Sequence, residues 1–430
     1  MSVLLLFGLI GQIAWSVENM YFNLFVFETV SPDLSAVTLM VQLSGIVATV
    51  VTLFAGTLSD KFGNRRTFIS AGYAIWGVTV ALFGFLSPDL IDSLFDTGAV
   101  KAVAVTIVLV IVGDCVMTLF GSSANDAAFN AWVTDNTCKE NRGKIEGILA
   151  ILPLVAMLIV AGGFGILVLA LGYKLLFLLL GIVISASGVF GFFFIKDSKS
   201  LSPSGSVKDI FFGFRPSSVK NNQVFYISLI IVLIYGISCQ IFMPYMIIYM
   251  KTYLSFSVVE YSIVFGLAIL LGAAVNLYLT RLSDTKNKAK LLYFAAAVMA
   301  VGLIGMYFSK TESKIANLLL FGIFGFVMIV GYIFISALTG SIIRDYTPEA
   351  SVGKLQGVRM VFSVLIPMIV GPLIGNAINK ARNIPIDDPT SPDSMTTLYI
   401  PAPEIFLVAA IFLLICFAVI PVLVKKYNRK

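Results

Sequence analysis

Gly56-Thr57-Leu58-Ser59-Asp60-Lys61-Phe62-Gly63-Asn64-Arg65-Arg66 is a short charged turn between two long apolar segments. It leaves no room for a domain, and what precedes and follows it reads as membrane helix. Similar charged turns recur at alternate connections, so the topology can be read from them. The composition agrees: of 430 residues 59% are hydrophobic and 12% charged, with mean hydropathy +0.98. Soluble globular chains carry about 25% charged residues. A bilayer core takes about 20 apolar residues per helix. Twelve segments qualify, at roughly 3–27, 36–58, 67–87, 100–130, 145–169, 174–195, 223–250, 258–280, 290–308, 316–340, 357–378 and 403–424. The expected fold class is therefore an all-α membrane protein with twelve transmembrane helices.

Lys and Arg set the orientation. Of 29 basic residues, 22 fall on one set of connections, among them Lys61, Arg65, Arg66, Arg142, Lys220, Arg281, Arg344, Arg359 and Lys430. The other set takes seven, Lys101, Lys174, Lys251, Lys310, Lys314, Lys380 and Arg382. Cytoplasmic loops attract the basic excess, so both termini are expected in the cytoplasm. The same distribution accounts for the net charge of +6 without nucleic acid. Acidic residues Glu28, Asp33, Asp89, Asp92, Asp96, Asp387, Asp388 and Asp393 lie in the opposite loops. Residues 1–27 lack a basic leader and a small-residue cleavage site and read as the first span. Cys115, Cys138, Cys239 and Cys416 show no paired spacing, so neither a disulfide framework nor a metal site is read. Histidine is absent, no Walker loop is complete, and no run of residues supports an enzyme.

The halves resemble one another. Asp135-Asn136-Thr137 followed by Gly143-Lys144-Ile145-Glu146-Gly147 matches Asp345-Tyr346-Thr347 followed by Gly353-Lys354-Leu355-Gln356-Gly357, at a constant offset of 210 residues. Leu58-Ser59-Asp60 is echoed by Leu282-Ser283-Asp284. The longest basic connection, 196–222, is rich in Ser and Lys and divides the chain into bundles 1–195 and 223–430. Within it Phe211-Phe212-Gly213-Phe214 reads as a short interfacial piece. The connection 379–402 reads as an irregular lid or surface loop. Two six-helix repeats point to a carrier whose site lies between them.

With those features in place, Gly56–Arg66 resembles the signature loop of the major facilitator superfamily: glycine, spacer, Asp, a basic residue, spacer, glycine, then basic residues. The resemblance covers essentially the whole chain. It implies the major facilitator fold, two pseudo-symmetric six-helix bundles, and a gating role at the cytoplasmic end for this loop. Gly63 suits a tight turn, Gly56 close helix contact, and Asp60 a helix start or an ion pair with Arg65 or Arg66. Asp135 and Asp345 are read as helix caps or as partners of Arg142 and Arg344. The second-half version of the turn, Arg281 to Lys286 with Asp284, lacks the downstream glycine.

A narrower resemblance lies at the end of the fourth span, Asn125-Asp126-Ala127-Ala128-Phe129-Asn130-Ala131-Trp132-Val133-Thr134-Asp135 and then Arg142. It is similar to the melibiose carrier family of sugar–cation symporters, and that implies a cation-binding role for Asp126. The family's proline after that acid is Ala128 here, and its acidic pair in the second helix is missing, since residues 36–58 contain no Asp or Glu.

Ionisable and polar groups inside spans mark cavities or polar partners. The first span offers Trp15, Glu18 and Asn19, the fourth Asp114 and Asp126, the seventh Tyr235, Gln240, Pro244, Tyr245 and Tyr249, the eighth Asn276, and the eleventh Arg359. Structural salt bridges and interfacial aromatic anchoring are the competing roles. Many superfamily members have an arginine near the position of Asp114, so an aspartate there departs from the pattern. The expected function is secondary active uptake of a small polar solute, a sugar or glycoside, with a proton or sodium ion. Drug or metabolite export, lipid flipping and membrane sensing stand as alternatives. A monomer in a bacterial inner or plasma membrane, contacting only solute and bilayer and needing no cofactor, completes the expectation.

Overall fold

The computed structural model describes residues 2–62, 64–96, 98–136, 139–197, 212–347, 352–386 and 398–427; side chains are not described at 57, 60–62, 139–144, 146–148, 150, 283–285, 352–354, 356 and 386. The chain folds as two compact units, Met1–Ile210 and Phe211–Lys430, and the division falls inside the connection 196–222. It is an all-α, multi-pass membrane protein. Eleven helical stretches among the described residues are long and apolar enough to cross a bilayer. One of them, Ile151–Phe194, runs 44 residues and holds two spans, because Gly172 breaks it with φ 73°. That backbone conformation excludes most side chains. The total is therefore the twelve that segmentation predicts.

In the N-terminal unit the spans are Ser2–Val30, Leu34–Phe62, Arg65–Phe83, Ala99–Asp135, the helix opening at Lys139–Ile159, and the part of Gly165–Phe194 beyond Gly172. Asn64 caps the third span by accepting from Thr67 N at 3.0 Å. Third and sixth spans pack backbone to backbone: a Cβ on Gly77 would strike the Gly181 carbonyl and the Ser185 amide. Ser185 Oγ uses this closeness to donate to Ala74 O at 2.8 Å. Small residues are how membrane helices approach when lipid and side chain are equally apolar. A helix that segmentation does not predict, Pro88–Phe95, sits between the third and fourth spans. Ser87 caps it and Asp96 ends it at φ 49°.

The fourth span shows the membrane pattern most plainly. Val105, Val108, Val112, Val116 and Leu119 are exposed at helical spacing, while Thr106, Asp114, Thr118, Ser122 and Asn125 are buried. A water-soluble helix would have these faces the other way round.

The C-terminal unit contains Gln223–Thr252, Val258–Thr285, Lys288–Tyr307, Lys314–Asp345, the eleventh span ending in Ile366–Arg382, and Glu404–Tyr427. The seventh span tightens to a 3-10 turn at Met243–Tyr245, where Pro244 cannot continue the ladder. Ser257 and Glu260 form a reciprocal capping box at the start of the eighth. The connection 379–402 is more ordered at its base than an irregular lid: Pro385–Ile386 pairs antiparallel with Leu398–Tyr399. An Arg382–Glu404 ion pair at 2.7 Å and an Asn379 Oδ1 bond from Ala402 N at 2.9 Å fasten its two ends. In the Phe211–Phe214 stretch, Phe211 lies outside the described residues. The rest is held to the bundle: Gly213 packs on Val358 and Leu355, and its carbonyl accepts from the Tyr226 hydroxyl.

Candidate functional site

Two of the acidic side chains in the N-terminal unit share one hydroxyl cradle. Ser44 Oγ and Thr118 Oγ1 each donate to Glu18 Oε1 at 3.1 Å, and the two hydroxyls lie 2.7 Å apart. Asp114 lies close to both Ser44 and Glu18. Glu18 is 7% exposed and Asp114 1%. Glu18 Oε2 and Asp114 Oδ1 are buried with no hydrogen-bond partner. Neither carboxyl forms an ion pair with a lysine or arginine among the described residues. Leaving buried carboxylate oxygens bare and uncompensated by a cation is costly.

Asp126 occupies a neighbouring but separate place. It is half-buried and accepts from Asn125 Nδ2 at 3.2 Å. Asn125 is held by Tyr73, whose hydroxyl donates toward both Asn125 Oδ1 at 2.9 Å and Phe7 O at 2.8 Å. Gly11 leaves the room for that pair, since a Cβ there would overlap both polar atoms. Among the described residues no three His, Cys, Asp or Glu side chains come together as one metal shell.

The backbone is distorted at both places. π-helical turns cover Glu18–Phe22 and Ser122–Phe129, each widening the helix where a candidate carboxylate sits. Such single-turn expansions concentrate at functional positions. Asn19, by contrast, is exposed and donates to Trp15 O at 2.8 Å. Consecutive residues point about 100° apart on a helix, so Asn19 does not share the Glu18 cradle.

In the C-terminal unit the candidates do not gather around one group. Gln240 is half-buried and packs where the eleventh span passes at Gly371. Tyr245 is fully buried and its hydroxyl donates to Pro372 O at 2.9 Å. Tyr249 lies among Tyr253, Phe321 and Phe406, with ring centroids 5.0, 5.9 and 5.0 Å away, and its hydroxyl is buried without a partner. Asn276 Nδ2 donates to Gly272 O and Val330 O at 2.9 and 3.1 Å, tying the eighth span to the tenth. Tyr235 and Tyr332 meet edge to face at 6.2 Å, beside Ser336, Thr339 and the charge of Arg359.

At the basic end of the N-terminal unit, Arg65 Nε bonds Asp135 Oδ2 at 3.0 Å and Nη1 reaches Ser59 Oγ at 2.5 Å. Arg66 binds the end of the sixth span, through its amide to Asp197 Oδ1 at 2.9 Å and its guanidinium to Phe192 O. Gly56 faces Ala127 of the fourth span. The latch expected of Asp60, and the roles of Gly63, Arg142 and Asp284, fall on a residue or side chains outside the described set. In the other unit Asp345 Oδ2 bonds Lys288 Nζ at 2.7 Å. The repeated aspartate is therefore paired in both halves with a basic residue at the start of the half's third span. Of the partners expected from the sequence, the Arg142 side chain lies outside the described residues, and Arg344 directly precedes Asp345 at the end of the tenth span. The reason for the pairing is packing: the start of the third span lies against the end of the fourth, and the start of the ninth against the end of the tenth.

Ser44, Thr118, Tyr73, Ser122 and Lys288 are absent from the residues singled out by sequence. A signal exists for part of them: Asp114, Thr118, Ser122 and Asn125 recur at intervals of four, four and three along one helical face.

The family model for the Major Facilitator Superfamily matches residues 4–372. The chain belongs to that superfamily. No curated protein matches it in sequence. Among solved structures it is similar to a point-mutant form of the nucleoside transporter NupG, with TM-score 0.67, 12% identity and 98% of each chain covered. A second NupG structure gives TM-score 0.63 and 13% identity, covering 99% of this chain and 100% of that one. A bacterial homologue of the human lysosomal transporter Spinster, inward-facing and unoccupied, gives 0.68 and 12%, covering 100% and 97%. At such identities the likeness is one of fold. The fold is that of a transporter, not a catalyst, and the protein is a multi-pass integral membrane protein.

Proposed function

We propose that this protein is a secondary active transporter of a small polar metabolite, in which the Glu18–Asp114 cradle takes up the coupling cation. The observation that carries this reading is the pair of bare oxygens, Glu18 Oε2 and Asp114 Oδ1, buried with no hydrogen-bond partner and, among the described residues, no ion pair. Empty, the cradle holds uncompensated negative charge. A proton or sodium ion relieves it, so occupancy changes the relative stability of the states that face the two sides. Ser44 and Thr118 hold the Glu18 carboxyl in place and supply further oxygen ligands.

For the solute, the partial melibiose-carrier resemblance around Asp126 supports a sugar or glycoside. NupG is a nucleoside transporter, and a nucleoside is itself a glycoside, which widens the class to glycosidic metabolites. Export of such a metabolite is the second reading, favoured by relatives that are not sugar symporters. Arg65–Asp135, with Ser59, joins the second, third and fourth spans and acts as the gate at the end expected to face the cytoplasm.

The test is transport in sealed proteoliposomes, using panels of sugars and nucleosides under separately imposed proton and sodium gradients. Gradient-driven movement of one class, lost in Glu18→Gln and Asp114→Asn while downhill exchange persists, is the expected result. Normal accumulation by both variants would remove the cradle from coupling. The same assay on Asp126→Asn tells a cation role for Asp126 from a solute role: a raised half-saturation concentration with coupling intact assigns it to the solute.

A further inference from the structure

A cleft of about 530 Å³ opens at the basic end of the C-terminal unit. Its walls are the short helix Pro216–Asn221, the start of the seventh span and the ends of the tenth and twelfth. Lys220, Asn222, Gln223, Tyr346, Thr347 and Lys426 line it. Asp345 lies there too, but its charge is offset by Lys288 at 2.7 Å. Lys220 and Lys426 have no carboxylate partner among the described residues, so the cleft presents net positive charge. A second groove of about 390 Å³ adjoins it, lined by Pro421, Val422, Lys425 and Lys426. Lys426 belongs to both. Pro421 and Val422 are exposed on the twelfth span, on surface that an apolar chain would cover.

We infer that this cleft and groove together hold one anionic phospholipid of the surrounding bilayer. The headgroup phosphate lies between the Lys220 and Lys426 ammonium groups, with the Gln223 amide as a further donor. An acyl chain runs along Pro421 and Val422. Charge complementarity selects the occupant, since basic pockets at helix ends attract acidic headgroups. The continuity of a cationic cleft with an apolar groove selects a lipid over a free anion. Lys220 lies near the end of the connection 196–222, and Lys426 is at the end of the twelfth span. A lipid bridging them fastens that connection to the bundle, so lipid composition becomes a regulator of the carrier.

The experiment uses the full chain, purified and exposed to phosphatidylglycerol or phosphatidylcholine. Retained lipid is counted by native mass spectrometry, and the thermal midpoint is measured in nanodiscs of each lipid. The expected result is retention of one phosphatidylglycerol and a higher midpoint in that lipid. Lys220→Gln/Lys426→Gln should weaken the preference roughly ten- to thirtyfold, the scale for two lysines beside a membrane surface. Lys220→Arg/Lys426→Arg should keep it, and Lys286→Gln, an exposed lysine lining neither cavity, should leave it unchanged. Equal loss in Lys286→Gln would mean diffuse surface charge and overturn the site. Stabilisation by inorganic phosphate alone would overturn the lipid assignment. If the double glutamine variant does not fold, wild-type protein retaining both lipids equally overturns the proposal by itself.

Discussion

The N-terminal unit closes its third and fourth spans with Arg65 on Asp135, and the C-terminal unit closes the matching spans with Lys288 on Asp345. Inside the membrane the two units part. The first buries Glu18 in a hydroxyl cradle, with Asp114 buried close by. The second buries aromatic rings and the Asn276 amide, and its Asp and Glu residues stand at span ends or in connections: Glu260, Asp284, Asp345, Glu404. Repetition has kept the ion pair that holds helix ends together, which any such bundle needs. Among the described residues, membrane-embedded carboxyls are found in the N-terminal unit, so sensitivity to a cation is expected to reside there.

The sharpest way to break this contrast is to neutralise one embedded group in each unit. Glu18→Gln should lower gradient-driven accumulation roughly a hundredfold, the scale of about 3 kcal/mol for removing one partner of a buried charge site. Asn276→Ala should leave the ion dependence of transport as it is, changing stability alone. Equal loss of coupling in both variants would show that the asymmetry has no functional meaning.

Next in size is the repeated ion pair. The Arg65 side chain is 5% exposed and Asp135 24%, against 21% and 45% for Lys288 and Asp345. Arg65→Ala strands a largely buried carboxylate and should cost about 3 kcal/mol. Lys288→Ala removes a half-solvated pair and should cost under about 1 kcal/mol after screening. Thermal unfolding of the two variants in one detergent measures the difference, and equal losses would mean the two pairs share one environment.

The smallest effects sharpen the role of the tyrosines. Tyr73→Phe and Tyr245→Phe should each lose about 0.6 kcal/mol, the average for a hydrogen bond between membrane helices. Only Tyr73→Phe should also alter transport, because the Tyr73 hydroxyl sets Asn125 against Asp126. A transport defect in Tyr245→Phe of the same size would place the seventh span in the solute path and revive Tyr245 as a binding residue.

How far the sequence reached differs from residue to residue. Glu18 and Asp114 stand out in apolar surroundings by their charge alone. Their cradle does not, because Ser44 and Thr118 are small hydroxyls that membrane helices use everywhere, and nothing local says which carbonyl or carboxylate they serve. Asn19 shows the opposite error: i, i+4 spacing from Trp15 groups it with the site, but a hydrogen bond to its own helix turns it away. The helix Pro88–Phe95 is legible in hindsight from Ser87-Pro88-Asp89, a cap, a helix-starting proline and an acidic first turn.

Sequence alone determined the apolar segmentation, the bias of basic residues and the superfamily turn, because each follows from transfer of side chains between water and lipid and needs no knowledge of neighbours. It determined equally that Asp135 and Asp345 are counterparts, through the constant offset. The tertiary structure alone decided that Arg65 and Lys288 are their partners, that Ser44 and Thr118 converge on Glu18, and that the helices open into π turns at Glu18 and Ser122. Those outcomes depend on which faces of distant spans come within about 3 Å, the reach of a hydrogen bond. That distance is set by glycine-mediated packing such as Gly77 on Gly181, and no linear pattern in the chain encodes it.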